Sequence, residues 1–218
     1  MAKKLKYDYI VVEGNIGTGK TSLAGRLSAD FNTRLVLERF ADNPFLPLFY
    51  EQPQRYAFPL ELSFLADRYQ QLNDELSSQE LFQQQTISDY LLSKSLIFAN
   101  ITLKNDENQL YQRLFHIINP HLPKPDILVY LHKDVSQLRK NIKSRGREYE
   151  QNITDEYLEN LEKGYWEFFK QQNSFPIVVV DTNNVDFVKN DSDYQRILDL
   201  LEKDYSPGIH RVLFEPTT

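Results

Sequence analysis

Cysteine is absent from the 218 residues. Its absence excludes disulfide bonds, thiolate metal sites and a cysteine nucleophile. Long apolar runs are missing too. No stretch approaches the roughly 18 apolar residues of a membrane span, and residues 1–6 lack the apolar run of a secretory signal peptide. We therefore expect a cytoplasmic protein with no membrane partner.

Positive charge is scarce as well. Lys and Arg number 25 against 31 Asp and Glu, so the formal net charge is −6. The basic residues are spread along the chain except for a cluster between Arg139 and Arg147, and no extended basic face predicts binding of DNA or RNA. A small anionic ligand suits this composition better. The chain length and the 41% hydrophobic content predict a single domain over residues 1–218.

A glycine-rich segment carries the strongest functional signal. An apolar strand leads into the pattern Gly14-x4-Gly19-Lys20-Thr21, and a helical sequence follows. In a phosphate loop of this spacing, backbone N–H groups point at phosphate oxygens near the positive end of the helix. Lys20 then reaches the β- and γ-phosphates of ATP, and the Thr21 hydroxyl holds Mg2+. The alternative is a glycine-rich turn that packs a helix on a strand. The predicted nucleotide contacts are Gly14, Asn15, Ile16, Gly17, Thr18, Gly19, Lys20, Thr21 and Ser22.

Short β-branched runs alternate with longer segments of helical period. This alternation predicts an α/β fold, a parallel five-stranded sheet with helices on both faces. The predicted strands are Tyr9–Val12, Arg34–Leu37, Gln85–Ser88, Ile127–Leu131 and Ile177–Val180. The predicted helices are Lys20–Phe31, Phe58–Leu76, Leu91–Lys104, Glu107–Asn119, Val135–Ser144, Asp155–Gln172 and Ser192–Lys203. Ligands gather at the carboxyl ends of such strands, so the phosphate loop, Glu38 and Asp89 should converge on one crevice, together with the segment after Asp181.

Two further features point to phosphoryl transfer, which needs positioned positive charge and an acceptor for the nucleophile's proton. Glu38 follows the second strand, where a carboxylate would accept a proton from a hydroxyl held against the γ-phosphate. The alternative for Glu38 is a capping or surface glutamate. Arg145-Gly-Arg147 follows an amphipathic helix and predicts an arginine-rich lid, about residues 143–153, that closes on the phosphates. The alternative for this cluster is a solvated helix face.

Several segments taken together resemble one family. They are Glu-Gly-Asn-Ile-Gly-Thr-Gly-Lys-Thr at the phosphate loop, Glu38 ahead of Asn43-Pro44-Phe45, Phe49-Tyr-Glu-Gln-Pro-Gln-Arg-Tyr-Ala-Phe58, Arg68, Ile97-Phe98-Ala99 and Arg145-Gly-Arg-Glu-Tyr-Glu-Gln151. Over nearly its whole length the chain resembles the deoxynucleoside kinases, and in particular the bacterial deoxyadenosine kinases. The resemblance implies a phosphate-loop kinase fold, ATP and Mg2+ as cofactors, a deoxynucleoside as the small-molecule partner, and a homodimer packed through two helices of each subunit.

The resemblance also implies roles at the acceptor end of the site. Glu38 matches the catalytic base that activates the sugar 5′-hydroxyl. Tyr50 and Glu150 match the pair that holds the 3′-hydroxyl. Phe98 matches the aromatic residue that stacks on the nucleobase, and a core phenylalanine is the alternative for it.

The same comparison assigns the lid and the readers of the base. Arg145 and Arg147 match the lid arginines. Glu61 and Arg68 match two base-reading residues on one helix, where seven residues, or two helical turns, keep both on the pocket side. The loop that wraps the adenine of ATP matches Asp186-Phe187.

One departure from the family's pattern bears directly on the substrate. Glu61 stands where the family has a base-reading glutamine, and an ionised carboxylate only accepts hydrogen bonds. Glu61 therefore favours a base with an exocyclic amine, namely adenine, cytosine or guanine. Thymine lacks such an amine and is disfavoured.

A second departure is Ser88-Asp89-Tyr90, where the family has Glu-Arg-Ser. Aligned without gaps, Asp89 takes the place of the arginine and Lys94 that of a base-reading aspartate. We interpret Asp89 as the acid for Mg2+ after a one-residue slip. The alternative is that another residue, such as Arg68, supplies the missing positive charge near the 5′-hydroxyl. Lys94 suits the role of a donor to purine N7 or O6, and the alternative is an exposed helix lysine.

These inferences predict transfer of the γ-phosphate of ATP to the 5′-hydroxyl of a purine deoxynucleoside, deoxyadenosine first, in nucleotide salvage. One alternative is a nucleoside monophosphate kinase of the thymidylate kinase type, with Arg68 or Arg55 binding the acceptor's phosphate. Another is a non-catalytic nucleotide-binding regulatory module. The predicted helices Leu91–Lys104 and Glu107–Asn119 carry apolar stripes that suit either a dimer interface or the core.

Overall fold

The chain is described by a computed structural model that defines residues 4–39, 43–76 and 85–214. Both ends of the single domain predicted over residues 1–218 therefore lie partly outside the described residues. The strands are β1 Tyr9–Gly14, β2 Arg34–Val36, β3 Thr86–Ser88, β4 Ile127–His132, β5 Pro176–Asp181 and β6 Gly208–Val212. The helices are α1 Lys20–Phe31, α2 Phe45–Glu51, α3 Pro53–Leu76, α4 Lys94–Thr102, α5 Asn105–Ile118, α6 Val135–Arg145, α7 Asp155–Gln171 and α8 Asp191–Leu201.

The strands form one parallel sheet in the order β2-β3-β1-β4-β5-β6. The parallel α/β fold is confirmed, but the predicted count of five strands was wrong because β6 joins the edge beside β5. Gly208, His210 and Arg211 interrupt the apolar pattern of β6, and its side chains are at best half-buried. An edge strand can form with so weak a pattern because its backbone bonds to one neighbour only.

Helices cover both faces of the sheet, and β1 shows why. Tyr9 and Val11 point into a core packed against α3, α4 and α7, whereas Ile10 and Val12 point into a second core with α1 and α8. A strand buried on both faces is apolar at every position, as the run Tyr-Ile-Val-Val is. The sheet thus holds the end of β1 rigidly between two cores.

The predicted helices were least accurate before the third strand. Helix α2 was missed, because Pro47 within it reads as a helix breaker although the first turn of a helix tolerates proline. Helix α3 begins at Pro53, ahead of the predicted start at Phe58, since proline also suits the first helical position. In the described ranges no helix combines the length and apolar content needed to cross a membrane.

The strand order positions the site. β3 lies between β1 and β2, with Ile87 opposite both Ile10 and Leu35. The carboxyl ends of these three strands therefore lead side by side into the phosphate loop, Glu38 and Asp89.

Candidate active site

The loop between β1 and α1 has the backbone of an anion cradle. It turns through two left-handed glycines, with φ of +87° at Gly17 and +93° at Gly19, and Gly19 caps α1. The Lys20 ammonium folds back across the loop and donates to the Asn15 carbonyl at 3.1 Å. Burial and the charge of Lys94 lower the pKa of Lys20 to about 8. An ammonium ion in such surroundings gains strongly from a phosphate beside it.

Two asparagines link the phosphate loop to helices α7 and α6 by hydrogen bonds. Asn15 donates from its side-chain amide to the Leu158 carbonyl at 2.8 Å, and Asn141 on α6 donates to the Gly17 carbonyl at 2.7 Å. Within the loop, the Thr18 hydroxyl donates to the Asn15 carbonyl. Of the other predicted contacts, Ile16 packs against α6, while Ser22 lies exposed in the first turn of α1.

Of the two residues predicted to wrap the adenine of ATP, only Phe187 faces the phosphate loop. Phe187 is buried, and its ring lies so close to Gly19 that an added Cβ there would stand 3.0 Å from the ring edge. Asp186 instead turns into its own loop, where its carboxylate accepts the N–H groups of Val188 and Lys189. Phe187 is thus the residue of this pair that packs against the phosphate loop.

Gly14→Ala should destabilise the protein, because close approach at this position leaves no room for a methyl group. An added Cβ would lie 2.6 Å from the Thr18 hydroxyl and 2.7 Å from the Leu131 carbonyl of β4. We expect the free energy of unfolding, measured by thermal and chemical denaturation, to fall by about 1–3 kcal/mol. ATP binding, measured by nucleotide titration, should also weaken. Gly25→Ala in α1 is the matched control, since apart from its own stretch of helix no described atom lies within 4 Å of its added Cβ. Equal stability of the two variants would contradict the tight packing.

Asp89 lies at the centre of the crevice. It is buried, and its Oδ2 accepts the Thr21 hydroxyl at 2.5 Å. Its Oδ1 accepts the backbone N–H of Glu38 at 2.8 Å. One carboxylate therefore connects the first turn of α1 to the segment after β2.

Glu38 is held between two cations. Arg68 donates from Nε to Glu38 Oε1 at 2.8 Å and Lys94 donates to Oε2 at 2.6 Å, while Arg68 also donates to the Ser95 hydroxyl. Burial alone would raise the pKa of Glu38, but the charges of Lys94 and Arg68 outweigh it and hold the pKa well below the usual range. The surface-glutamate alternative is thus wrong. The exposed-lysine alternative is also wrong, because Lys94 is buried.

Glu61 and Phe98 lie next to this charge cluster. The Thr102 hydroxyl is 3.0 Å from both Glu61 Oε1 and the Phe98 carbonyl. Glu61 is only 1% exposed, and burial raises its pKa to about 7. The Phe98 ring is half-buried, with Lys94 Nζ 5.5 Å and Arg68 Cζ 6.0 Å from its centroid. An aromatic ring, a carboxyl group and two cations therefore lie close together.

The predicted sugar and lid residues form a second group. Tyr50 stacks on Tyr149 with ring centroids 6.1 Å apart, next to the buried Glu150. Glu150 accepts hydrogen bonds from Arg145 Nε and Arg147 Nη1, each at 3.1 Å. Both arginines of the predicted lid thus contact Glu150, the residue predicted to hold the sugar.

No role was predicted for Glu13, although an acid in an otherwise apolar strand is a visible signal in the sequence. Glu13 is 1% exposed and accepts the Leu91 N–H at 3.0 Å and the Tyr165 hydroxyl at 2.9 Å. Burial raises its pKa, against the nearby charges of Lys94 and Lys20. Glu13 thus connects the start of the phosphate loop to the turn at Leu91, two residues after Asp89.

This geometry can be compared with known proteins. The model of the family described as deoxynucleoside kinase matches residues 10–205. The chain belongs to the deoxynucleoside kinase family. The resemblance inferred from the sequence is thereby confirmed, and the protein is a kinase, a phosphotransferase.

Individual members of the deoxynucleoside kinase family give the same result. The chain is 38% identical over 193 residues to a deoxyguanosine kinase of Bacillus subtilis (strain 168), covering 87% of this chain and 93% of the relative. It is 30% identical over 203 residues to a deoxyadenosine kinase of Lactobacillus acidophilus, covering 87% and 92%. The structure of deoxyadenosine kinase from M. mycoides with bound dATP superposes with a TM-score of 0.77 at 26% identity, covering 89% and 100%. The relatives thus include kinases of both purine deoxynucleosides.

Proposed function

We propose that this protein transfers the γ-phosphate of ATP to the 5′-hydroxyl of a purine deoxynucleoside and releases the monophosphate. The observation that carries the proposal is the convergence of the phosphate loop, Asp89 and Glu38 at three adjacent strand ends. A phosphoryl donor held by the loop and a hydroxyl held by Glu38 would meet there. Phosphoryl transfer needs mainly this positioning and charge compensation.

Glu38 is the proposed catalytic base. Its ionised carboxylate would accept a hydrogen bond from the 5′-hydroxyl and then its proton as the bond to phosphorus forms. Arg68 and Lys94 fix both carboxylate oxygens. Lys94 would also bring the positive charge that the family's arginine supplies after β3, so we propose both a substitute cation and Asp89 as the acid for Mg2+.

The space beside Glu38 suits a nucleoside. Phe98 would stack on the base, while Glu61 and Arg68 would read its edge. Tyr50 and Glu150 would hold the 3′-hydroxyl. Arg145 and Arg147 would then serve as lid arginines that balance charge on the transferred phosphoryl group, and their shared contact with Glu150 ties that charge to the sugar site.

Thr21 and Asp89 fit an Mg2+ ion bound together with ATP. Mg2+ prefers oxygen ligands, and in kinases one or two protein ligands act with substrate phosphates. The Thr21 hydroxyl and the Asp89 carboxylate are such a pair, 2.5 Å apart. Among the described residues no cluster of three or more His, Asp or Glu forms a site complete without phosphates. When bound, Mg2+ neutralises charge on the β- and γ-phosphates.

The alternative of a nucleoside monophosphate kinase needs a cation for the acceptor's phosphate. The Glu38 carboxylate already balances the charge of Arg68, so Arg68 suits a neutral base better than a second anion. A neutral sugar suits Tyr50 and Glu150 better. The pairing of the Glu38 carboxylate with two cations beside Asp89 supports a catalytic role over a purely regulatory module.

We also propose that residues 1–218 act as one kinase domain, in the cytoplasm where ATP and free deoxynucleosides are available, and as a homodimer. Support for the dimer comes from α5, which exposes Leu110 and Ile117, the latter at 64%. Exposed apolar side chains on one helix are typical of an interface. Sedimentation equilibrium would measure the oligomeric state.

The reaction is tested by incubating the protein with Mg2+, ATP labelled at the γ-phosphate, and a panel of the four deoxynucleosides and their monophosphates. We expect label on a purine deoxynucleoside. Label only on monophosphates would favour the thymidylate-kinase-like alternative. ATP binding without transfer to any acceptor would favour the regulatory module.

A further inference from the structure

Glu61 carries an unused buried oxygen. Its Oε1 lies 3.0 Å from the Thr102 hydroxyl, whereas Oε2 is fully enclosed and has no hydrogen-bond partner among the described residues. An unpaired buried carboxylate oxygen is costly unless a ligand supplies its partner. Phe98, the proposed stacking residue, is joined to Glu61 through Thr102. Arg68 and Lys94 lie beside the Phe98 ring and their charges also act on Glu61, so a base stacked on that ring would lie close to the Glu61 carboxyl group.

The charged and titratable groups around Glu61 come from five elements and the segment after β2. They are Arg68 on the same helix α3, Tyr50 on α2, Lys94 on α4, Tyr111 on α5, Tyr157 on α7 and Glu38 after β2. The two cations favour the ionised carboxyl group, and Glu38 opposes it. Burial outweighs them, because the Arg68 and Lys94 charges are already engaged by Glu38.

The purines differ at the Watson–Crick edge that would face Glu61. Guanine offers two adjacent donors there, N1–H and the 2-amino group. Adenine offers one donor, the 6-amino group, beside the acceptor N1. A carboxylate can accept from two donors, whereas a protonated carboxyl group donates once and accepts once. The carboxylate thus matches guanine and repels adenine N1, whereas the neutral carboxyl group can pair with adenine, or with guanine through N1–H and O6.

Given the proposed function, on which this inference rests, we propose that Glu61 selects the purine through its protonation state: the carboxylate pairs with guanine and the neutral carboxyl group with adenine. Arg68 and Lys94 also favour guanine, because their N–H groups would donate to guanine O6. Adenine carries an amino group at that position, which is itself a donor. The preference for deoxyadenosine expected from the sequence then applies only to the protonated site.

The raised pKa of Glu61, to about 7, makes both forms accessible near neutral pH. Below that pH the carboxyl group is protonated, and above it is ionised. At high pH, binding of deoxyadenosine then requires Glu61 to take up one proton, whereas binding of deoxyguanosine does not. Linkage predicts that the ratio of kcat/KM for deoxyguanosine to that for deoxyadenosine rises about tenfold per pH unit above the Glu61 pKa and levels off below it.

The ratio should be measured between about pH 6 and 8.5, because pH effects on Glu38 and Lys20, shared by both substrates, cancel in it. Glu61→Gln should make the ratio independent of pH, since an amide stays neutral and can pair with either purine. Glu107→Gln is the matched control. Glu107 is exposed on α5 and its replacement changes the net charge equally, so the wild-type slope should remain. A flat wild-type ratio, or an unchanged slope in Glu61→Gln, would overturn the inference while transfer itself supports the proposed function.

Calorimetry gives a readout that does not need turnover. Binding of each deoxynucleoside at about pH 8 is measured in two buffers of different ionisation enthalpy, and we expect uptake of nearly one proton with deoxyadenosine and none with deoxyguanosine. Proton uptake without any phosphoryl transfer would overturn the proposed function and leave Glu61 as the purine selector. Equal proton exchange with both nucleosides would overturn the selector.

Discussion

Glu38→Gln is expected to lower kcat by about 10²–10⁴-fold, the usual contribution of a general base, while the affinity for ATP changes little. Glutamine keeps the shape and an oxygen for Arg68, but it cannot accept the proton of the 5′-hydroxyl. Single-turnover transfer measures the loss, and nucleotide titration measures binding. Within the described residues, the hydrogen bond from Glu38 toward the phosphate loop is made by its backbone N–H to Asp89, which the substitution keeps, so the ATP site should survive.

The variant needs a control for folding, because Arg68 and Lys94 lose their shared counter-charge. Breaking a buried ion pair costs about 3–5 kcal/mol of stability, so thermal unfolding should accompany the kinetics. Glu38→Asp keeps the charge and should restore folding with incomplete turnover. Glu159→Gln, on the exposed surface of α7, is the matched control because it also removes one negative charge. Retained turnover in a folded Glu38→Gln protein would remove Glu38 from the role of base.

The parts of the site that could be predicted are those encoded by short segments. The phosphate loop has a strand before it and a helix after it, so local pattern alone predicts its position and the start of α1 at Lys20. Parallel topology then predicts that Glu38 and Asp89 meet the loop, because both directly follow strands.

The parts that could not be predicted depend on which distant side chains share one space. Lys94 is a single lysine at the start of α4, and its burial follows from the packing of α3 and α4 around Glu38. An ungapped alignment places Lys94 near the base but carries no information about that ion pair. Similarly, spacing puts Glu61 on the pocket side of α3 but cannot show that one of its oxygens is enclosed without a partner among the described residues.

Asp89→Asn is the sharpest test of the altered motif after β3. Asparagine can keep both local contacts, with its oxygen toward the Glu38 N–H and its amide toward the Thr21 hydroxyl, so the fold should be retained. The negative charge is lost, however. We expect the Mg2+ concentration that gives half-maximal activity to rise by about 10–100-fold, with a large fall in kcat at ordinary Mg2+. Initial rates across an Mg2+ titration at fixed ATP measure this.

Asp181→Asn is the matched control, because Asp181 ends β5, which is not a neighbour of β3 in the sheet. Its Oδ1 accepts the N–H of Asn183, and its Oδ2 lies 3.8 Å from His132 Nδ1. Its Mg2+ requirement should stay at the wild-type value. A fall in kcat for Asp89→Asn with an unchanged Mg2+ requirement would contradict a metal role. In that case Asp89 would act by holding the Glu38 backbone, and the positive charges of Arg68 and Lys94 would carry the function of the missing family arginine.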